Sequence, residues 1–110
     1  SKAEQTRIAR ASVYQMTQNF AEFFAVPGMD AKWRKQHLIF EGVEYFRQAQ
    51  SKDKGVFLLS MHIGNGDVSA NAIASEVTEL YLITKIFKSQ WLNQIWFAIR
   101  GYFGVRYIDA

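Results

Sequence analysis

The chain predicts an α/β fold, with a helical entry region over residues 1–54 and a largely parallel strand–helix alternation over 55–110, the two forming a single domain. Three observations predict it. The first half repeats apolar residues at helical spacing. The second half alternates short, β-rich apolar runs with longer amphipathic stretches. Turn-forming residues, Pro27-Gly28, Ser51-Lys52-Asp53-Lys54 and the glycines at 64 and 66, stand between these segments. Strands separated by helices imply right-handed crossovers and parallel pairing.

Residues 4–25 predict a first helix, with Ile8, Val13, Met16, Phe20, Phe23 and Phe24 roughly on one side. Pro27-Gly28 ends it. Asp30 then caps a second helix through about residue 50, where Trp33, Leu38, Val43 and Phe46 are apolar and Lys32, Lys35, Glu44 and Arg47 form the wet face. After the polar linker 51–54 the order is strand 56–60, helix 66–76, strand 79–84, helix 89–101 and strand 104–108. The run Val56-Phe57-Leu58-Leu59-Ser60 is apolar throughout rather than alternating, as expected of a strand buried on both faces of a parallel sheet.

Composition narrows the function classes. Hydrophobic residues make up 49% and aromatic residues 15%, yet no apolar stretch approaches the ~20 residues of a spanning helix. The polar, mixed-charge amino terminus carries no secretory signal. Cysteine is absent, so disulfides and thiolate-bound metals are excluded, and with His37 and His62 far apart no metal site is expected. The net charge of +3 has no block of like charges, which speaks against nucleic acid as a partner. Its excess lies in residues 1–54, where nine Lys/Arg oppose six Asp/Glu, a bias that suits a surface facing anionic lipid and equally a solvated helix.

The most informative stretch is His62-Ile63-Gly64-Asn65-Gly66-Asp67, directly after the apolar run. The histidine would emerge at the carboxyl end of a strand, where open α/β sheets bind ligands. Asn65 is a good helix N-cap, Asp67 falls in the first turn, and Gly64 and Gly66 let the backbone bend sharply. Such a turn can fold the carboxylate back onto the imidazole, fixing its tautomer and leaving the other ring nitrogen to take a proton from a hydroxyl. A hydrogen bond between His62 and Asp67 is therefore expected. Taken alone, the spacing is equally that of a strand cap and a helix-terminus carboxylate. His37, without a carboxylate in a comparable turn, reads as structural or solvent-facing. Trp91, Trp96, Phe97, Tyr102 and Phe103 read as core packing or as the lining of an acyl-chain groove.

Four blocks, Asn-Phe-Ala-Glu-Phe-Phe (19–24), Phe-Glu-Gly-Val-Glu-Tyr (40–45), Gly-Val-Phe-Leu-Leu-Ser-Met-His-Ile-Gly-Asn (55–65) and Arg-Gly-Tyr-Phe-Gly-Val (100–105), occur in an order and spacing that resembles the bacterial lipid A secondary acyltransferases. These lauroyl and myristoyl transferases belong to the lysophospholipid acyltransferase superfamily, whose first catalytic block is H-x4-D/E. The resemblance covers nearly the whole chain. It implies an N-terminal and central part of a longer enzyme, with a membrane-inserted segment upstream and further substrate-binding blocks downstream.

The resemblance also implies direct acyl transfer at the cytoplasmic face of the bacterial inner membrane. His62, oriented by Asp67, would deprotonate a hydroxyl of an anionic lipid acceptor, which attacks the thioester of acyl carrier protein or acyl-coenzyme A; the thioester is a co-substrate and no cofactor is required. Gly64, Asn65, Lys85, Lys88 and Arg100 would make up the substrate-binding set, the cations holding phosphate or carboxylate. Lys85 stands where the family commonly has arginine and so lacks the planar fork. Gly66 and Asp67 stand where the lipid A branch usually has tryptophan and glutamate, which preserves the dyad but removes an apolar contact beside it. Two alternatives remain at this point: an acyl-serine hydrolase using Ser60, although no Gly-x-Ser-x-Gly elbow surrounds it, and a non-catalytic membrane- or partner-binding module.

Overall fold

A computed structural model describes residues 1–110. Helix α1 spans Lys2–Ala25, its N-terminus capped by Ser1 Oγ, which accepts from Glu4 N at 3.3 Å. A short 3-10 turn, Val26–Gly28, follows at Pro27, whose ring fixes φ and cannot continue the helix. Asp30 caps α2, Ala31–His37, by accepting from Trp33 N at 2.7 Å. Then come α3, Val43–Gln50, α4, Gly66–Glu76, β1, Tyr81–Thr84, α5, Gln90–Arg100, and β2, Arg106–Asp109. The strands pair in parallel, Tyr81 with Arg106 through Thr84 with Asp109, with α5 as their crossover. The fold is α/β, helical entry first and alternation after it.

Two expectations need correction. The single helix expected from Asp30 to about residue 50 is two helices, α2 and α3. Leu38 is extended, with φ −97° and ψ 124°, and Gly42 sits in the left-handed region at φ +75°. Three consecutive apolar residues, Leu38-Ile39-Phe40, cannot share one face of a continuous helix, and glycine takes the left-handed conformation without the Cβ clash other residues suffer.

The buried strand expected over 56–60 does not form. The segment carries no ladder hydrogen bonds, and Phe57 and Leu59 are fully exposed, at 100% and 101%. Its end, Ser60 and Met61, borders the same cavity as Leu82 and Ile83 of β1. A strand is stabilised by a neighbour on its edge and cover on its faces, and an all-apolar strand needs cover on both. Here the sheet has two strands, ordered β1–β2, and nothing lies over Phe57 or Leu59.

The core sits where the end of α1 meets α4 and α5. Phe23, Val26, Met29, Ala70, Ala72 and Val105 are buried. Trp96 of α5 packs at 4.4 Å on Phe23, with Phe20 and Phe87 edge-on to it at 6.2 and 5.5 Å. Trp96 is thus a packing residue, whereas Trp91 is exposed. The one buried polar side chain, Asn71, is fully used: Nδ2 donates to Asp67 O and Arg100 O at 3.0 and 2.8 Å, and Oδ1 accepts from Phe103 N at 3.1 Å. It ties α4 to the end of α5, beside the site described next.

Arg34 ties α2 to the same body. Its Nε bonds Glu76 at 2.7 Å, its Nη1 donates to Met29 O, and its guanidinium lies over the Phe103 ring at 4.5 Å. The accessible surface, 8954 Å², exceeds the about 6,200 Å² expected of a compact chain of this mass. The radius of gyration is 16.5 Å against about 13 Å for a compact domain of this length. Much of the excess is apolar: α1 leaves Ile8, Val13 and Met16 exposed.

Candidate active site

Gly64, with φ +68°, turns the chain after His62, and Asn65 caps α4 as its residue type predicts: Oδ1 accepts from Val68 N at 3.2 Å. Asp67 therefore lies in the first turn of α4, its carboxylate near the positive end of the helix. Arg100 reaches it from the last turn of α5. Its Nε bonds Asp67 Oδ1 at 2.5 Å, with the two side chains 18% and 24% exposed. Its Nη1 donates to Thr84 Oγ1 at 3.2 Å, at the carboxyl end of β1, and its guanidinium faces the rings of Phe97 and Tyr107 at 5.7 and 5.4 Å.

The expected hydrogen bond between His62 and Asp67 is not formed. His62 is exposed, and the carboxylate is engaged by Arg100 instead. A guanidinium that also bonds Thr84 Oγ1 makes a charge-assisted hydrogen bond to the carboxylate and is anchored at a second point, so it holds the stronger claim on Asp67. The two residues nevertheless line one cavity of about 510 Å³, together with Gly64, Arg100, Thr84 and Ser60. An imidazole, a carboxylate and a guanidinium thus converge at the end of β1, the edge where α/β sheets bind ligands.

The other residues anticipated from sequence fall out differently. Gly64 and Asn65 border a second, more apolar cavity of about 270 Å³, walled by Met16, Phe20, Phe23 and Trp96. Lys85 and Lys88 directly follow β1 but are exposed and line neither cavity. Ser60 Oγ donates to Met61 O at 3.4 Å rather than to His62. His37 is structural: its ring stacks on Trp33 at 4.5 Å and Nδ1 lies 2.8 Å from Trp33 O. No group of three or more His, Cys, Asp or Glu that could hold a metal ion is present.

Sequence reasoning missed four residues. Thr84 and Tyr107 bond Arg100, and Asn19 and Glu22 bond Asn65. Asn19 and Glu22 lie in one of the quoted sequence blocks, yet no local spacing connects them to a turn more than forty positions later.

Tyr107 contacts Arg100 from β2. Its hydroxyl donates to Arg100 O at 2.8 Å, and burial pushes it up to about 12, Arg100 opposing and Asp67 adding to the rise. The folded chain keeps a proton that the unfolded chain releases near pH 10, so this contribution to stability is complete below about pH 10 and is lost as pH rises through about 12. Tyr107→Phe is expected to flatten the alkaline decline of Tm between about pH 9 and 12; equal slopes in variant and parent would show that Tyr107 does not titrate this way.

No curated protein and no solved structure matches the chain at a significant level. A family profile does match, described as bacterial lipid A biosynthesis acyltransferase, and it covers residues 1–110. No helix is long and apolar enough to cross a membrane. Over its whole length, the chain belongs to the bacterial lipid A biosynthesis acyltransferase family.

Proposed function

We propose that this chain carries the base-bearing half of a site that moves a fatty acyl group from a thioester, on acyl carrier protein or coenzyme A, to a hydroxyl of an anionic lipid. The observation that carries the reading is the shared cavity of His62, Asp67 and Arg100 at the end of β1, in a chain of this family. His62 is the general base. It has no competing hydrogen-bond partner and is open to an incoming hydroxyl. Asp67 uses Oδ1 for Arg100, leaving Oδ2 to accept from the imidazole when the ring turns into the cavity, which fixes the tautomer.

Arg100 has a double task in this reading. It holds the carboxylate in place, and its positive charge offsets the oxyanion that forms when the hydroxyl adds to the thioester carbonyl. The carbonyl carbon gains the acceptor oxygen, the thiolate leaves, and the proton taken by His62 goes to the sulfur. Lys85 and Lys88, exposed beside this edge, meet the anionic head group, and the apolar cavity walled by Met16, Phe20, Phe23 and Trp96 takes part of the acyl chain. The enzyme works at the cytoplasmic face of the inner membrane, with the exposed apolar residues of α1 toward the lipid.

Ser60 supports a second reading, because it lines the same cavity as His62. A hydrolase would attack through Ser60 and release free acid. The two separate in one assay on the full-length enzyme with a labelled acyl thioester. Acyl product that appears only when a lipid hydroxyl is supplied, with no labelling by a serine-directed phosphonate, is the expected result. Acceptor-independent cleavage with a covalent adduct at Ser60 would replace acyl transfer with hydrolysis.

A further inference from the structure

We infer that Asn19 and Glu22, on the last two turns of α1, are positioning residues that hold the turn between His62 and Asp67 in its working shape. The inference rests on the acyltransferase reading above. Its basis is how the Asn65 amide is divided. Oδ1 accepts from Val68 N and caps α4, which obliges Nδ2 to face the other way. There it donates to Asn19 O at 2.8 Å and to Glu22 Oε2 at 3.0 Å. Asn19 returns a bond from its own Nδ2 to Gly64 O at 3.3 Å.

Three hydrogen bonds therefore join α1 to two consecutive residues of the turn. Gly64 and Gly66 would otherwise leave it free to sample many shapes. The clamp is anchored at its far side, because the Phe23 ring, one residue beyond Glu22, is buried against Trp96. Glu22 also places a carboxylate beside the cap of α4, where the helix terminus favours negative charge. Asp67 is two residues from the clamped amide and is held on its other side by Arg100. The distance between base and carboxylate is thus set from α1 on one side and α5 on the other. Misplacement on the scale of an ångström is costly to such a constellation.

Glu22 is the residue to vary, since it lines neither cavity and touches the chemistry only through Asn65. In the full-length enzyme, Glu22→Ala is expected to lower kcat about tenfold with KM for the thioester changed less than about twofold. Backbone amide exchange over residues 64–69 should accelerate in the same variant. Glu22→Gln, which retains an oxygen to accept from Asn65, should keep kcat within about twofold of the parent. Unchanged exchange in Glu22→Ala overturns the clamp whatever the activity, and unchanged kcat or a Gln variant as impaired as the Ala variant overturns its positioning role. Accelerated exchange in Glu22→Ala, with a parent enzyme that transfers no acyl group, would leave the clamp standing and overturn the acyltransferase reading instead.

Discussion

Arg100→Met is expected to cost both stability and acyl transfer, because it strips Asp67 of its only charged partner and Thr84 of its donor at once. The pair is mostly shielded from water, so removing the guanidinium leaves a poorly hydrated carboxylate without compensation. A loss of about 2–3 kcal/mol is anticipated, below the 3–5 kcal/mol of a fully buried pair because both side chains retain some solvent contact. Arg100→Lys should recover part of the stability and little of the activity, since an ammonium lacks the planar fork that bonds Asp67 and Thr84 from separate nitrogens beside Phe97 and Tyr107. Adding Asp67→Asn to Arg100→Met should restore stability by removing the stranded charge, yet leave acyl transfer low. Urea denaturation and steady-state kinetics on the parent, Arg100→Met, Asp67→Asn and the double variant close this double-mutant cycle. Additive effects on stability would mean that the two side chains do not depend on each other.

How far the site could be read from sequence follows the range of the interactions involved. Helix α4 was legible residue by residue, because Asn65, Gly66 and the first-turn Asp67 are local signals of a helix start. The break at Gly42 was less so, since the charged and apolar residues on either side are each compatible with helix and a single glycine does not by itself announce a left-handed turn. The run 56–60 has the composition of a buried strand, but pairing and cover are supplied by neighbours that composition does not report, and those neighbours are missing on the open edge of β1. The same limit applied to the dyad. Local spacing pointed the Asp67 carboxylate at His62, whereas the stronger claim on it comes from a guanidinium thirty-three positions away, held by Thr84 on a different element.

The contrast between the anchored and the open side of this cavity gives its chemistry a direct test. Asp67 and Arg100 are fixed by hydrogen bonds and packing, so their variants mix folding with function. His62 is exposed and unbonded, so its side chain can be removed without disturbing the core. Acyl transfer by the full-length enzyme should fall by roughly 10²–10⁴-fold in His62→Ala, the ordinary contribution of a general base, with Tm held within a degree or so of the parent. Asp67→Asn should do smaller damage, through loss of the tautomer-fixing acceptor. The decisive measurement is kcat for acyl transfer to a lipid hydroxyl in His62→Ala beside the parent, on protein shown to be equally folded. A loss of two orders of magnitude or more is the expected result; turnover equal to the parent would contradict the assignment of His62 as the base.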